Sequence, residues 1–186
     1  MRLPVLTLSA AIAAAFAIAP AQAQSTSDSA GPMPVTGNVP ALCFGGALTG
    51  TGSFDLGVLT EPTNGLLRND LSAPSKTLGG AFCSARSRLS ITATPLESQN
   101  NAATPPAGYS RTVNYTATAS GWTASPASFT TGAASNSGSS QDRATAFQGD
   151  ITVAIGGFGT GGGDALRLVA DPSYRGHVTV TLSVAE

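Results

Sequence analysis

The residues that could carry out chemistry in this sequence are few and widely separated. There is one histidine, His177, and the two cysteines are Cys43 and Cys83. A Ser–His–Asp triad would have to use that histidine. It stands at the head of a strand-like segment, and the sequence contains no nucleophile-elbow motif. We therefore interpret His177 as a strand-end residue without a catalytic role.

Other candidate chemical motifs are equally weak. Asp150 and Asp164 are conceivable as a glycosidase pair, but nothing beside them would raise the pKa of a carboxyl group, and acids are common in turns. The glycine-rich run 156–163 lacks the lysine and helix of a phosphate-binding loop and predicts a flexible turn. Asn114 starts a glycosylation motif inside a predicted strand. The sequence therefore predicts a non-enzymatic protein with no catalytic residue, no cofactor and no metal.

The amino terminus has the layout of a secretory signal peptide. Arg2 supplies a positive charge, an apolar run extends from Leu3 to Ile18, and Ala21-Gln22-Ala23 provides a small-x-small cleavage pattern. The apolar run is shorter than the about 20 residues that cross a bilayer as a helix. We predict cleavage after Ala23, no membrane span in the mature chain, and export to the periplasm, the cell surface or the medium.

The charge composition argues against nucleic acid as a partner. The chain has nine basic and ten acidic residues, a net charge of −1, and Lys76 is its single lysine. A protein without a basic patch is a poor candidate for nucleic-acid binding.

Because an exported chain matures in an oxidising compartment, Cys43 and Cys83 are expected to form a disulfide. Free thiols or a metal pair are the alternatives, and the lone histidine and absence of a CxxC motif argue against the metal.

Alternating apolar residues predict strands along most of the chain. The region Thr77 to Thr94 contains Cys83 and ends in an alternating segment, and the segment 177–185 alternates most regularly. Further strands are predicted at FDLGVL from Phe54, over Tyr109 to Ala119 and over Ala144 to Ile155. The predicted fold is an all-β, immunoglobulin-like (pilin-like) antiparallel sandwich, possibly lacking one strand. Trp122 is expected to cap the core, whose predicted members are Val178, Val180, Leu182, Val184, Leu89, Ile91, Ile151 and Val153.

The segment before the first cysteine has its own pattern. After a small polar run at 24–32, apolar residues or glycine occupy alternate positions, namely Met33, Val35, Gly37, Val39 and Ala41. Pro34 and Pro40 lack an N–H group, so this segment is either an edge or added strand or an irregular leader. The predicted organisation is a signal peptide at 1–23, a flexible leader or donor strand at 24–42, and one β-sandwich domain at 43–186.

The order of these features resembles a known family. A leader, Cys43, the FDLGVL segment, the strand with Cys83, a Tyr174-x-Gly176 turn and a terminal alternating strand follow one another. This order resembles the bacterial spore-coat-U and chaperone–usher pilin type of secreted subunit. The prolines of the leader and the ending Val-Ala-Glu, which lacks a penultimate aromatic residue, depart from that pattern.

The resemblance implies a fold and a mode of assembly. It implies an immunoglobulin-like sandwich without its last strand, with a cysteine bridge between the first two strands. A periplasmic chaperone would fill the gap first, and the amino-terminal extension of a like or related subunit would replace it at an usher. In this chain that extension corresponds to residues 33–41.

Three functions therefore stand as hypotheses. The first is a non-enzymatic surface-structure subunit assembled through β-strand addition, whose exposed edge strand receives a partner strand. The alternative is a self-complete secreted sandwich that binds carbohydrate or another surface ligand through Trp122, Tyr109 and Tyr115. The third is a secreted hydrolase.

Overall fold

The computed structural model describes residues 31–185, which are all-β. The predicted signal peptide and residues 24–30 of the leader lie outside this range. Within it, no helix is long and apolar enough to cross a membrane. The strands of this part of the chain are β1 (Cys43–Phe44), β2 (Ala47–Thr49), β3 (Lys76–Cys83), β4 (Ser87–Ala93), β5 (Leu96–Ser98), β6 (Tyr109–Ser110), β7 (Thr112–Ser120), β8 (Ala127–Thr130), β9 (Ser140–Arg143), β10 (Phe147–Thr160), β11 (Arg167–Leu168), β12 (Tyr174–Arg175) and β13 (Val178–Val184).

The larger sheet is built around three long strands. Its order is β1-β3-β10-β7-β5-β12, with β2 also paired to β3 and β8 also paired to β7. All of these pairs are antiparallel. The short strands β1 and β2 therefore form one edge of this sheet.

The smaller sheet has the order β13-β4-β9, so that β4 is central and β13 lies at an edge. The last strand pairs with β4 along its whole length, from Val178 opposite Ala93 to Val184 opposite Ser87. Strand β4 also packs across the layers against β7 and β8. A separate parallel pair joins β6 to β11. The arrangement is an all-β, sandwich-like fold, as the alternating pattern predicts.

The core lies between the two sheets. The buried side chains of this core cluster come from both layers, and they are Ala81, Cys83, Leu89, Ile91, Tyr115, Ala117, Ala119, Trp122, Ala127, Ile151 and Val153. Four predicted core residues are therefore confirmed. Val178, Val180 and Leu182 are only partly buried, although they pack against this cluster. Val184 is 38% exposed and the prediction for it is wrong, because it is the last residue of this edge strand and does not reach the core cluster.

Trp122 closes one end of the core as predicted. Its indole is fully buried, and its Nε1 donates a hydrogen bond to Ser87 Oγ at 3.1 Å. The ring of Phe147 meets it edge-on at 5.2 Å between centroids. The Arg143 guanidinium stacks 3.5 Å from that second ring and donates to the Trp122 carbonyl oxygen at 2.6 Å. A buried indole needs a partner for its N–H, and the start of β4 supplies it.

Two segments differ from the sequence prediction. FDLGVL, residues 54–59, forms no strand, and Phe54 instead packs against the core while Val58 is largely exposed. The glycine-rich run is not a turn throughout, since Gly156 to Thr160 continue β10 across an irregularity in its pairing with β7. Pairing to a neighbouring strand outweighs the low intrinsic strand preference of glycine.

Truncation of a core side chain tests this packing. Ile151→Ala removes a fully buried side chain between the sheets, and we expect the free energy of unfolding to fall by about 2–5 kcal/mol. Chemical denaturation followed by tryptophan fluorescence measures the change. Val58→Ala, at a 68% exposed position, is the matched control and should change stability by less than about 0.5 kcal/mol. Equal effects would contradict the assigned core.

Candidate strand-acceptor groove

The outer edge of β13 has no strand partner among the described residues. This strand pairs with β4 alone. At its ends, Thr94 N donates to His177 O and Ala185 N donates to Arg86 O. Backbone groups of alternate residues in an antiparallel strand point to opposite sides, so odd-numbered residues pair with β4. The N–H and C=O groups of the even-numbered residues therefore point toward the free edge.

The same even-numbered residues bear the apolar side chains of β13. We call Val178, Val180, Leu182 and Val184 the acceptor edge. The first three are partly buried against the core and the fourth is exposed. This edge thus offers backbone donors and acceptors together with incompletely covered apolar surface.

The edge of the larger sheet forms the facing wall. Strand β1 approaches β13 to within 8 Å between Cα atoms. In β2, Leu48 lies opposite Leu78, so both side chains point to the same face of the sheet. Leu78 packs on the core, yet Leu48 is 44% exposed. The inner face of β2 is therefore only partly covered at Leu48.

The predicted disulfide is present and fixes this wall. Cys43 and Cys83 are bonded at 2.04 Å between sulfurs, with 4.1 Å between their Cα atoms. They lie directly opposite each other in β1 and β3. Ser84 N donates to Leu42 O next to them, which places the cysteines in a non-hydrogen-bonded pair, where side chains lie closest.

Hydrogen bonds between the layers fix the beginning of β13. The buried Tyr115 hydroxyl donates to the His177 carbonyl oxygen at 3.2 Å, and His177 N donates to Thr94 Oγ1 at 2.8 Å. Burial raises the pKa of the Tyr115 phenol, which keeps it protonated as a donor. The acceptor edge is thereby held to both sheets.

A cleft of about 540 Å³ opens where FDLGVL faces the segment between β11 and β12. Asp171 lines this cleft and organises the chain beside it. Its carboxylate accepts hydrogen bonds from Ser98 Oγ, from the backbone and side-chain nitrogens of Asn100, and from Ser173 N. These bonds, that of the Ser98 hydroxyl first, hold the pKa of Asp171 well below its ordinary value.

The predicted strand-addition residues are solvent-exposed. Met33, Val35, Gly37, Val39 and Ala41 lie in a segment without strand pairing in the described chain. The side chain of Val35 is 98% exposed and that of Val39 is 83% exposed. Apolar side chains in contact with water favour burial by a partner.

The structure does not assemble the residues considered for catalysis into a site. The His177 side chain is exposed and makes no hydrogen bond within residues 31–185. Asp150 Oδ1 accepts from Gly80 N, and Asp164 Oδ1 accepts from Thr160 N. In this part of the chain no group of three or more histidine, cysteine or acidic residues is placed to hold a metal.

The aromatic platform of the carbohydrate hypothesis is not formed. Trp122 and Tyr115 are buried, whereas Tyr109 is 41% exposed. Two of the three rings therefore cannot contact a sugar. Phe44 and Phe82 form an exposed pair instead, at 6.0 Å between ring centroids.

Sequence reasoning missed three residues of this region. Leu48 has no alternating neighbours that would signal its place opposite Leu78 in the larger sheet. The Tyr115 hydroxyl bond and the Asp171 cluster join residues far apart in the chain, with separations of 62 for Tyr115–His177 and 73 for Ser98–Asp171. Nothing in the sequence beside Asp171 signals these partners.

Comparison of the chain with family models, with curated proteins and with solved structures found no match.

Loss of the disulfide should loosen the wall of the groove. The double variant Cys43→Ala/Cys83→Ala releases β1 from β3, and we expect unfolding free energy to fall by about 2–4 kcal/mol, because the unfolded chain gains freedom. Chemical denaturation measures the free energy of unfolding. Reduced wild-type protein serves as the control, and we expect the same loss of stability for it. An unchanged midpoint in both samples would contradict the structural role of the bridge.

The Asp171 cluster should make stability depend on pH. A carboxyl whose folded-state pKa is lowered stabilises the fold above its unfolded-state value of about 4, and this contribution is lost as pH falls through the folded-state value. Asp171→Asn should therefore lower the melting temperature at neutral pH, with the difference from wild type shrinking in strong acid. Asp55→Asn, whose carboxylate bonds only Gly57 N, is the control. A difference independent of pH would contradict this role.

Proposed function

We propose that this protein is an exported, non-enzymatic subunit of a surface structure, assembled through β-strand addition. The observation that carries the proposal is the acceptor edge, where one row of residues presents unpaired backbone groups and incompletely buried apolar side chains together. Added strands satisfy both needs, since ladder hydrogen bonds supply affinity and alternate side chains supply register.

The leader of another copy has the chemistry of the added strand. Its alternating residues from Met33 to Ala41 match the alternating side chains of β13, which is seven residues long. The exposure of Val35 and Val39 leaves their side chains available for burial. The leader also precedes Cys43, so it lies outside the cross-linked loop. Its end is bonded to the folded body, since Ser84 Oγ donates a hydrogen bond to the carbonyl oxygen of Pro40, and on this proposal the residues before Pro40 extend to a neighbour.

The resemblance in sequence order supports a spore-coat-U-like or pilin-like subunit. On this proposal a periplasmic chaperone covers the acceptor edge after export, and an usher directs exchange for the leader of a like or related subunit. The low charge and the abundance of small hydroxyl residues suit an extracellular β-protein.

The proposal requires separable donor and acceptor functions. Deletion of residues 24–41 from the mature chain removes the donor, and Val180→Asp places a charge on the acceptor edge. We expect each variant to be monomeric alone by light scattering, while the wild-type chain forms oligomers. Mixed together, they should form a one-to-one complex, because one retains the acceptor and the other the donor.

Matched controls separate assembly from folding. Thr181→Asp places the same charge on the exposed face of the same strand and should leave oligomers unchanged. Circular dichroism must show that Val180→Asp remains folded, and Val184→Asp is the milder variant if it does not. A wild-type chain that stays monomeric, with a deletion variant of equal stability, would refute strand donation.

A further inference from the structure

We propose that the outer face of the larger sheet binds a neutral glycan at Phe44, Phe82, Gln148 and Asp150. We call these four residues the platform. The ligand class is a β-linked chain of pyranose units whose hydroxyl groups are equatorial, such as glucose or N-acetylglucosamine units. This inference goes beyond the proposed function and does not depend on strand addition.

Strand pairing places three of these side chains in one row. Phe44 of β1 lies opposite Phe82 of β3, and Phe82 lies opposite Gln148 of β10. Directly opposed residues of an antiparallel sheet point to the same face, with about 4.5–5.5 Å between their Cβ atoms. The next residue, Cys83, is buried in the core. Because neighbours along a strand point to opposite faces, the row points away from the core.

The two rings of this row are open to solvent. Phe44 is 49% exposed and Phe82 is 37% exposed, and their ring centroids lie 6.0 Å apart. That spacing is close to the length of one pyranose unit, so two neighbouring units of a glycan would each stack on one ring. An equatorially substituted sugar has an apolar face of axial C–H groups, which the negative face of an aromatic ring attracts. Beside the rings, a Cβ at Gly80 would meet no atom within 4 Å, so the surface there is open.

Gln148 and Asp150 supply polar groups next to the rings. Both residues are exposed. Asp150 Oδ1 accepts a hydrogen bond from Gly80 N at 2.9 Å, which holds this carboxylate two residues from Phe82. Within residues 31–185, neither Asp150 Oδ2 nor the Gln148 amide has a hydrogen-bond partner. A carboxylate accepts hydrogen bonds and an amide both donates and accepts them, which suits sugar hydroxyl groups.

These groups favour a neutral glycan over other occupants. The one charge of the platform is negative, so it repels an acidic sugar. A protein surface that covered the rings would remove the Asp150 carboxylate and the Gln148 amide from water, and polar groups left without partners are costly. Two rings are also much less than the about 1,200–2,000 Å² that a stable protein interface buries.

The disulfide fixes the spacing of the two rings. Cys43 and Cys83 adjoin Phe44 and Phe82 in sequence, and they join β1 to β3. Strand β1 is only two residues long, so backbone pairing alone would hold Phe44 weakly. A platform that is fixed before binding loses less entropy when the ligand binds.

Calorimetric titration of the full mature chain with cellohexaose and with N-acetylchitohexaose tests this inference. We expect at least one of these neutral hexasaccharides to bind, and an acidic oligogalacturonate of the same length to bind at least about tenfold more weakly. Phe82→Ala should weaken binding about tenfold, whereas Phe82→Trp should retain it because an aromatic ring is kept.

Matched variants separate ring stacking from other causes. Leu48→Ala removes an exposed apolar side chain from the opposite face of the neighbouring strand and should leave affinity within about twofold. Phe82→Leu keeps an apolar side chain without a ring and should bind as weakly as Phe82→Ala. Circular dichroism must show that these variants remain folded. Gln148→Ala, at an exposed position, should weaken binding about threefold if they do not.

The possible results distinguish this inference from the proposed function. A wild-type chain that binds neither hexasaccharide at millimolar concentration, or a Phe82→Leu variant with wild-type affinity, would overturn glycan binding at the platform. Loss of oligomers in Phe82→Ala, without loss of glycan binding, would show that this face contacts another copy and would also overturn it. Val180→Asp should abolish oligomers and keep glycan binding, because the acceptor edge and the platform are separate surfaces.

Discussion

Within residues 31–185, the backbone of β13 obtains hydrogen bonds from one side only, because this strand pairs with β4 alone. Buried backbone groups require partners, and an edge strand with an apolar face also exposes surface that water does not favour. The side chains of Val178, Val180 and Leu182 are only partly buried, so their exposure is intermediate between that of core and surface residues. This strand therefore pairs with β4 along its length, and its other edge stays without a strand partner among the described residues.

The remainder of the molecule holds this incomplete edge in place. Strand β4 lies between β9 and β13 and packs across the layers. Trp122 bonds to Ser87 at one end of β4, and Tyr115 bonds to the carbonyl of His177 at the beginning of β13. The Cys43–Cys83 bridge keeps the facing edge from separating. On the proposed function, these bonds fix the edge before a partner strand binds, which reduces the entropy lost on binding.

On the proposed function, donor and acceptor belong to the same chain but to different surfaces. A contact of that kind is heterologous, and repetition of it builds an open polymer when the rotation between copies does not close a ring.

The sequence by itself determined the all-β class, the buried faces of β4 and β10, the burial of Trp122 and the cysteine pairing. Period-two alternation is a property of short stretches of sequence. Two lone cysteines in an exported chain have no other cysteine of the same chain to pair with. Only the tertiary structure decided that β13 is an edge strand, that FDLGVL is unpaired and that Gly156 to Thr160 extend a strand. The same holds for Leu48 beside the groove and for the Asp171 cluster. Alternation shows which side chains share a face, but the number of strands beside that face depends on residues distant in the chain.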